Sequence, residues 1–261
     1  MKRGRSARRT TRKGRRRAQR GGSNAPASGP AQPLFQDAYA ITMQEEFPDR
    51  FRKIKEQATA AGLDLKPWNG VKITAEDLPN LPSQGIGTTQ YSDRAGNHYN
   101  FGAIGCFLAH RKLLEHLVSA PLPAAQATII FEDDANIPPD FKAKLAAIEP
   151  EIPADWDILY LGKSGIEGKR ISPNIMKLER DMTNTKNYGT WAYMVKNSSI
   201  KDRLLPIFEH MNDFLDNHTN KFADKVNMYL VDPPFMTINI ELNNVSAVSA
   251  FDKQLKASRP T

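Results

Sequence analysis

The stretch ATIIFEDDANIPPDF, residues 127–141, follows an apolar run with three consecutive carboxylates, Glu132, Asp133 and Asp134. Adjacent carboxylates repel one another unless a cation lies among them, and Asp and Glu oxygens suit hard ions such as Mg2+ or Mn2+. Other roles compete for the same residues. An acidic loop can simply be solvated, and an Asp can cap a helix that begins near Pro138. A strand-end acid also serves as nucleophile in some phosphatases and as phosphate acceptor in receiver domains. His110 sits on an apolar stretch without a second histidine nearby, which reads as a packed or hydrogen-bonded side chain and gives no support for metal ligation. Trp191 and Tyr193 could stack on a sugar or base, but aromatic residues on a strand usually belong to the core. Cys106, the single cysteine, reads as core packing; it excludes an intramolecular disulfide and a Cys-rich metal cluster, and it fits a reducing compartment.

These groups need elements to hold them. DAYAIT, residues 37–42, has the apolar character of a strand. In FPDRFRKIKEQATAAG, Phe47, Phe51, Ile54, Ala58 and Ala61 share one helical face, with Pro48 suited to the first turn and Gly62 to the stop. LDLKPWNGVKI resumes an extended pattern and completes a β-α-β unit. Residues 78–100 are rich in turn formers and predict a long surface excursion of the kind that often forms a lid or binding loop. Residues 102–118 predict a helix, ATIIF a buried strand, and Phe141, Leu145 and Ile148 a short helix. WDILYLG, GTWAYMV and VNMYLVDPP predict further strands. Alternating strands and helices imply an α/β sandwich around a mostly parallel sheet. Open α/β sheets bind ligands at the carboxyl ends of their strands, where the acidic triplet falls.

Bulk composition limits the function classes. The formal charge of +7 on 261 residues comes from the first 20 residues, which hold eleven Lys and Arg and no acid. Without them 25 basic residues face 29 acidic ones, so the basic character belongs to the tail and the overall charge does not imply a polyanion-binding fold. Residues 1–33 combine like charges with Gly, Pro and Ser and are expected to be disordered, leaving residues 34–261 as the folded domain. The tail reads either as an arm for a polyanion (nucleic acid or an anionic surface) or for nuclear import, or as a solvated extension. No apolar stretch of the kind found in secretory signals follows the charges, and no run approaches the ~18 apolar residues of a transmembrane helix. A cytoplasmic or intracellular location is therefore expected.

GAIGCFLAHRKLLEHLV, ATIIFEDDANIPPDF, DWDILYLG, GTWAYMV and VNMYLVDPP, together with YAITMQEEFPDR, resemble glycosyltransferase family 25 in order and spacing over residues 38–250. That family includes bacterial lipopolysaccharide-type galactosyltransferases and collagen hydroxylysine galactosyltransferases. The resemblance implies a glycosyltransferase-A-like fold, in which a Rossmann-like nucleotide-sugar-binding sheet is flanked by helices. It implies a UDP-sugar donor, a Mn2+ or Mg2+ ion held by Glu132 and Asp134 with Asp133 beside them, and nucleotide contacts from Thr42, Glu45 and Arg50. The implied reaction is inverting transfer of galactose or glucose to a hydroxyl of a glycan or a hydroxylysine-type protein side chain. The resemblance implies an Asp base between the last two strands, for which Asp213 and Asp216 are the candidates, with spacing favouring Asp213; the other reading makes both surface acids on a helix. His110 matches the family's helical histidine and is assigned to substrate binding. Ala103, Ala109, Met43 and Glu45 depart from the usual Glu, Ser, Leu and basic residue, departures that bear on donor contacts more than on reaction type. A protein that kept the fold as a catalytically weak binding or structural module, with the tail as anchor, is the alternative.

Overall fold

The computed structural model describes residues 33–87, 100–124, 126–211, 213–239 and 241. The expectations for the basic tail, for the middle of the 78–100 segment and for the chain beyond residue 241 lie outside the described residues.

β1 (Phe35–Thr42) is buried from Asp37 onward. α1 (Pro48–Ala60) begins on Pro48 and buries Arg50, Phe51, Ile54 and Ala58. Gly62, at φ 70°, turns the chain toward β2 (Leu65–Asn69), which pairs parallel with β1 and completes the expected β-α-β unit. Asn100 caps α2 (Phe101–Ser119): its Oδ1 accepts the Ala103 N–H at 2.9 Å. The chain continues through β3 (Ala127–Glu132), β4 (Ala135–Asn136), α3 (Phe141–Ile148), β5 (Ile158–Ser164), β6 (Lys169–Arg170) and β7 (Ile175–Lys177). β8 (Tyr188–Lys196), α4 (Asn197–Ser199) with a helical run on to Phe208, α5 (Leu215–Asn220), β9 (Met228–Val231) and β10 (Thr237–Ile238) follow.

The main sheet has the order β2-β1-β3-β8-β5-β9-β7-β6, and β4 pairs with β10 apart from it. Only β1/β2, β1/β3 and β5/β9 are parallel; β8 runs antiparallel to both β3 and β5, and β6 and β7 are antiparallel as well. The sheet is therefore mixed, where the sequence pattern predicted a mostly parallel one. A parallel return needs a crossover, usually a helix, and the segment between β5 and β8 carries two short strands in its place. The chain re-enters the sheet at the end it left, so β8 must run backward.

Period-2 alternation gives β3 two buried faces. Ile130 joins Ile104, Phe107 and Leu114 of α2, with Tyr193 and Phe208, in one apolar layer. Ile129 and Phe131 join Phe51 and Ile54 of α1 and Phe141 and Leu145 of α3 in the other. Each such side chain contributes about 1.5–3 kcal/mol by leaving water. Trp191 and Tyr193 are buried, in keeping with a core role. The predicted surface excursion is partly corrected: Leu81 and Ile86 are fully buried, and Ile86 bridges to Met211. Two apolar side chains among turn formers were enough to tie that end of the segment to the core. Among the described residues, no helix is long and apolar enough to cross a membrane.

Candidate functional site

The carboxyl ends of β1 and β3 and the segment after β2 open with α2 onto a cavity of about 510 Å3, within the range typical of small-molecule sites. Thr42, Arg50, His110, Glu132, Asp133 and Asp134 all line it. Six residues assigned from sequence thus converge on one space. Glu45 does not: it is exposed and off the lining, while its neighbour Glu46 lines the cavity and pairs with Lys72.

The acids are held by different partners. The Arg50 guanidinium, buried in the first turn of α1, meets Asp133 Oδ1 at 2.8 Å and Asp134 Oδ2 at 3.2 Å. The other oxygen of Asp134, Oδ1, is buried without a hydrogen-bond partner. Burial, and then the charge of Glu132, push the Asp134 carboxyl up to about 7 against the pull of Arg50. Burial likewise raises Asp133 in spite of Arg50. Glu132 goes the other way: burial opposes its charge, but His110 and Thr190 beside it, helped by Arg50, hold it below the usual carboxylate range. Thr190 Oγ1 donates to Glu132 Oε1. His110 is fully buried, with Nδ1 2.7 Å from the Tyr193 hydroxyl and Nε2 3.5 Å from Glu132 Oε1. Three carboxylates face the single positive charge of Arg50, and Asp134 Oδ1 is the oxygen left for a divalent ion.

Asp216 and Asp213 separate. Asp216 Oδ2 accepts the Gly189 N–H at 2.8 Å, one residue before the threonine that holds Glu132. Asp213 lies before α5, so the two acids do not share a helical face. Its carboxylate accepts from Asn184 at 2.7 Å, from the Phe214 N–H at 2.8 Å and from Lys221. Although burial opposes the charge, these partners hold Asp213 below its ordinary value.

The sequence model described as "Glycosyltransferase family 25 (LPS biosynthesis protein)" matches residues 35–217. The chain belongs to glycosyltransferase family 25. It is 24% identical over 172 residues to "Procollagen galactosyltransferase 1" of Danio rerio, covering 62% of this chain and 27% of that protein. It is 23% identical over 212 residues to "Inactive glycosyltransferase 25 family member 3" of Homo sapiens, covering 75% and 34%. With "Probable inactive glycosyltransferase 25 family member 3" of Bos taurus it shares 28% over 142 residues, covering 49% and 22%. The chain thus spans between about a fifth and about a third of the length of these relatives. A solved structure, the 4-diphosphocytidyl-2C-methyl-D-erythritol synthase of Anaerococcus prevotii, covers 85% of this chain at 11% identity and a TM-score of 0.33, too slight a likeness to decide anything.

Two features of this family 25 site escape a sequence reading. Lys163, at the end of β5, is buried with Nζ 2.6 Å from the Asn187 carbonyl; burial brings it down to about 8 against the fields of Asp216 and Glu132. A lysine directly after the apolar run ILYLG was the available signal. Cys106, read as core packing, packs against the core but also lines the cavity. α2 approaches the cavity wall through Gly105, where an added Cβ would lie 2.1 Å from the Val71 carbonyl oxygen. Gly105→Ala is therefore expected to destabilise the protein by about 1–3 kcal/mol, the usual cost of overpacking. Urea unfolding would measure it, and a midpoint equal to the parent's would show that the two segments separate freely.

Proposed function

We propose that this family 25 chain transfers a hexose, galactose or glucose, from a UDP-sugar to a hydroxyl of a glycan or a hydroxylysine-type side chain. The observation that carries the reading is the cavity in which Arg50, Glu132 and Asp134 converge with Asp134 Oδ1 unpartnered. A Mn2+ or Mg2+ ion held by Glu132 and Asp134 would neutralise charge on the departing diphosphate as a Lewis acid. Arg50 orients both aspartates through one guanidinium and lends positive charge to the same space. The procollagen galactosyltransferase name of one relative supports galactose as the first donor to test.

In a single displacement, the acceptor hydroxyl attacks the anomeric carbon as the bond to the diphosphate oxygen breaks, and a base takes the hydroxyl proton. We assign that role to Asp216. The two consecutive residues Gly189 and Thr190 tie Asp216 and Glu132 to one strand end, giving the base a fixed relation to the acids. Asp213 is engaged by Lys221 and held acidic, which suits a structural role better. Asp216→Asn is expected to lower turnover by roughly 100- to 10,000-fold with donor affinity kept, the scale of general-base catalysis. Asp213→Asn should instead lower thermal stability, with turnover reduced less. A panel of UDP-sugars with Mn2+, read by thermal shift and by UDP release, tests both variants and the reaction. Equal turnover in Asp216→Asn would remove the assignment of the base.

The names of two relatives as inactive favour a second reading, a binding protein that kept the cavity. The same panel separates the two, because that protein would be stabilised by a donor and release no UDP.

A further inference from the structure

A second set of ligand atoms lies in the wall of the same cavity, distinct in chemistry from the paired aspartates. Cys106 and His110 stand four residues apart on α2, hence on one helical face, and both point at the end of β3. The Cys106 Sγ, a His110 ring nitrogen and a Glu132 oxygen all lie within 4.8 Å of one another. Among the described residues this is the one group of three such side chains that converges in this way; Glu132, Asp133 and Asp134 do not. His110 is fully buried, and its Nε2 faces Glu132 Oε1 at 3.5 Å, a contact long for a hydrogen bond and compatible with a cation shared by the two.

We propose that Cys106, His110 and Glu132 form a site for a borderline-soft divalent cation of the Zn2+ class. Thiolate, imidazole and carboxylate are a ligand set that zinc accepts and that Mg2+ and Ca2+ do not favour. Zinc bound tetrahedrally at about 2.0–2.3 Å holds its ligands roughly 3.3–3.8 Å apart. His110 Nε2 and Glu132 Oε1 already stand 3.5 Å apart. Small side-chain rotations bring Sγ to the third corner, and its proton leaves to solvent as the metal binds. All three residues line the cavity, so the fourth position faces it and takes water. The shell behind the ligands is built as well. Nδ1 of His110 is 2.7 Å from the Tyr193 hydroxyl, so metal on Nε2 fixes the tautomer in which Nδ1–H donates to Tyr193. Thr190 holds Glu132 from the other side.

The site shares Glu132 with the proposed Mn2+ or Mg2+ site, but its test needs neither donor nor turnover, so the two readings fail separately. The full untagged chain would be titrated with Co2+, a spectroscopic stand-in for zinc, and then with Zn2+ alone. Because the chain has a single cysteine, a thiolate-to-cobalt charge-transfer band can come only from Cys106. The expected result is a band that saturates at one equivalent, is displaced by Zn2+, vanishes in Cys106→Ser and persists in Asp134→Asn. Glu132→Gln and Tyr193→Phe should each weaken binding by about 10-fold or more. Circular dichroism would confirm that each variant is folded, and the titration of the unaltered chain decides the matter even where one is not. No band at saturating Co2+, or a band whose affinity is unchanged in both Glu132→Gln and Tyr193→Phe, overturns the proposal.

Discussion

Asp134→Asn is expected to cut UDP-hexose turnover by roughly 100- to 1,000-fold, the scale lost when one charge-stabilising group is removed from a reacting site. The same change should stabilise the metal-free protein. Asp134 is buried, its Oδ1 is unpartnered, and burial followed by repulsion from Glu132 pushes its carboxyl up to about 7. In the unfolded chain the group titrates near the ordinary value of about 3.9. Between those two values the folded state keeps a proton that the unfolded state has released. Stability therefore falls as pH rises from about 4 to about 7, and the full penalty, on the order of 4 kcal/mol, is present above that window. Asn stays neutral throughout, so the variant loses this downward slope. Thermal unfolding in chelator across pH 4 to 8 measures the difference. Added Mn2+ should raise the midpoint of the parent but not of the variant, because a ligand that binds only the folded state stabilises it. Parallel pH curves for the two proteins, or undiminished turnover, would refute this role for Asp134.

Arg50→Met should be the most destabilising single change at the site. Its guanidinium holds Asp133 and Asp134 together, and removing one partner of a buried ion pair costs about 3–5 kcal/mol because the remaining charge is left uncompensated. Both carboxyls are already raised by burial, and without Arg50 they rise further. The loss should therefore be greatest above neutrality and shrink as pH falls and the acids take up protons. Adding Asp134→Asn to Arg50→Met should recover part of the stability, since the second change removes one of the two stranded charges. Urea unfolding of the four proteins at pH 5 and 8 completes the cycle. Additive effects would mean that Arg50 and Asp134 are not coupled.

The family 25 fold was legible in part, and for physical reasons. ATIIF and ILYLG are short, mainly apolar runs that lead directly into the charged residues Glu132 and Lys163, so both identify themselves as buried strands. Nothing in such a run encodes its direction relative to a neighbour, and the reversal of β8 went unread. The acidic triplet announced itself because its place follows from the strand before it. Its partners did not: Arg50 reaches Asp133 and Asp134 only after α1 has folded back along the sheet. The i, i+4 spacing of Cys106 and His110 was visible, but its meaning depends on α2 lying over the end of β3. Asp213 and Asp216 looked equivalent three residues apart. The helix starts between them, turning one toward Lys221 and the other toward Gly189.

The backward strand has a consequence for how such a protein can diverge. Since β8 enters the sheet at the end where β3 leaves it, the segment that precedes β8 lies at the same end of the sheet as Glu132, while the cavity itself is lined from the ends of β1 and β3, from α1 and α2 and from the segment after β2. Tyr188 and Phe214, both exposed, lie on that β8 side next to the Asn184 and Asp213 contacts. Insertions between β5 and β8 can therefore accumulate without touching the residues that line the cavity. A lineage can remodel that face while inheriting the cavity unchanged.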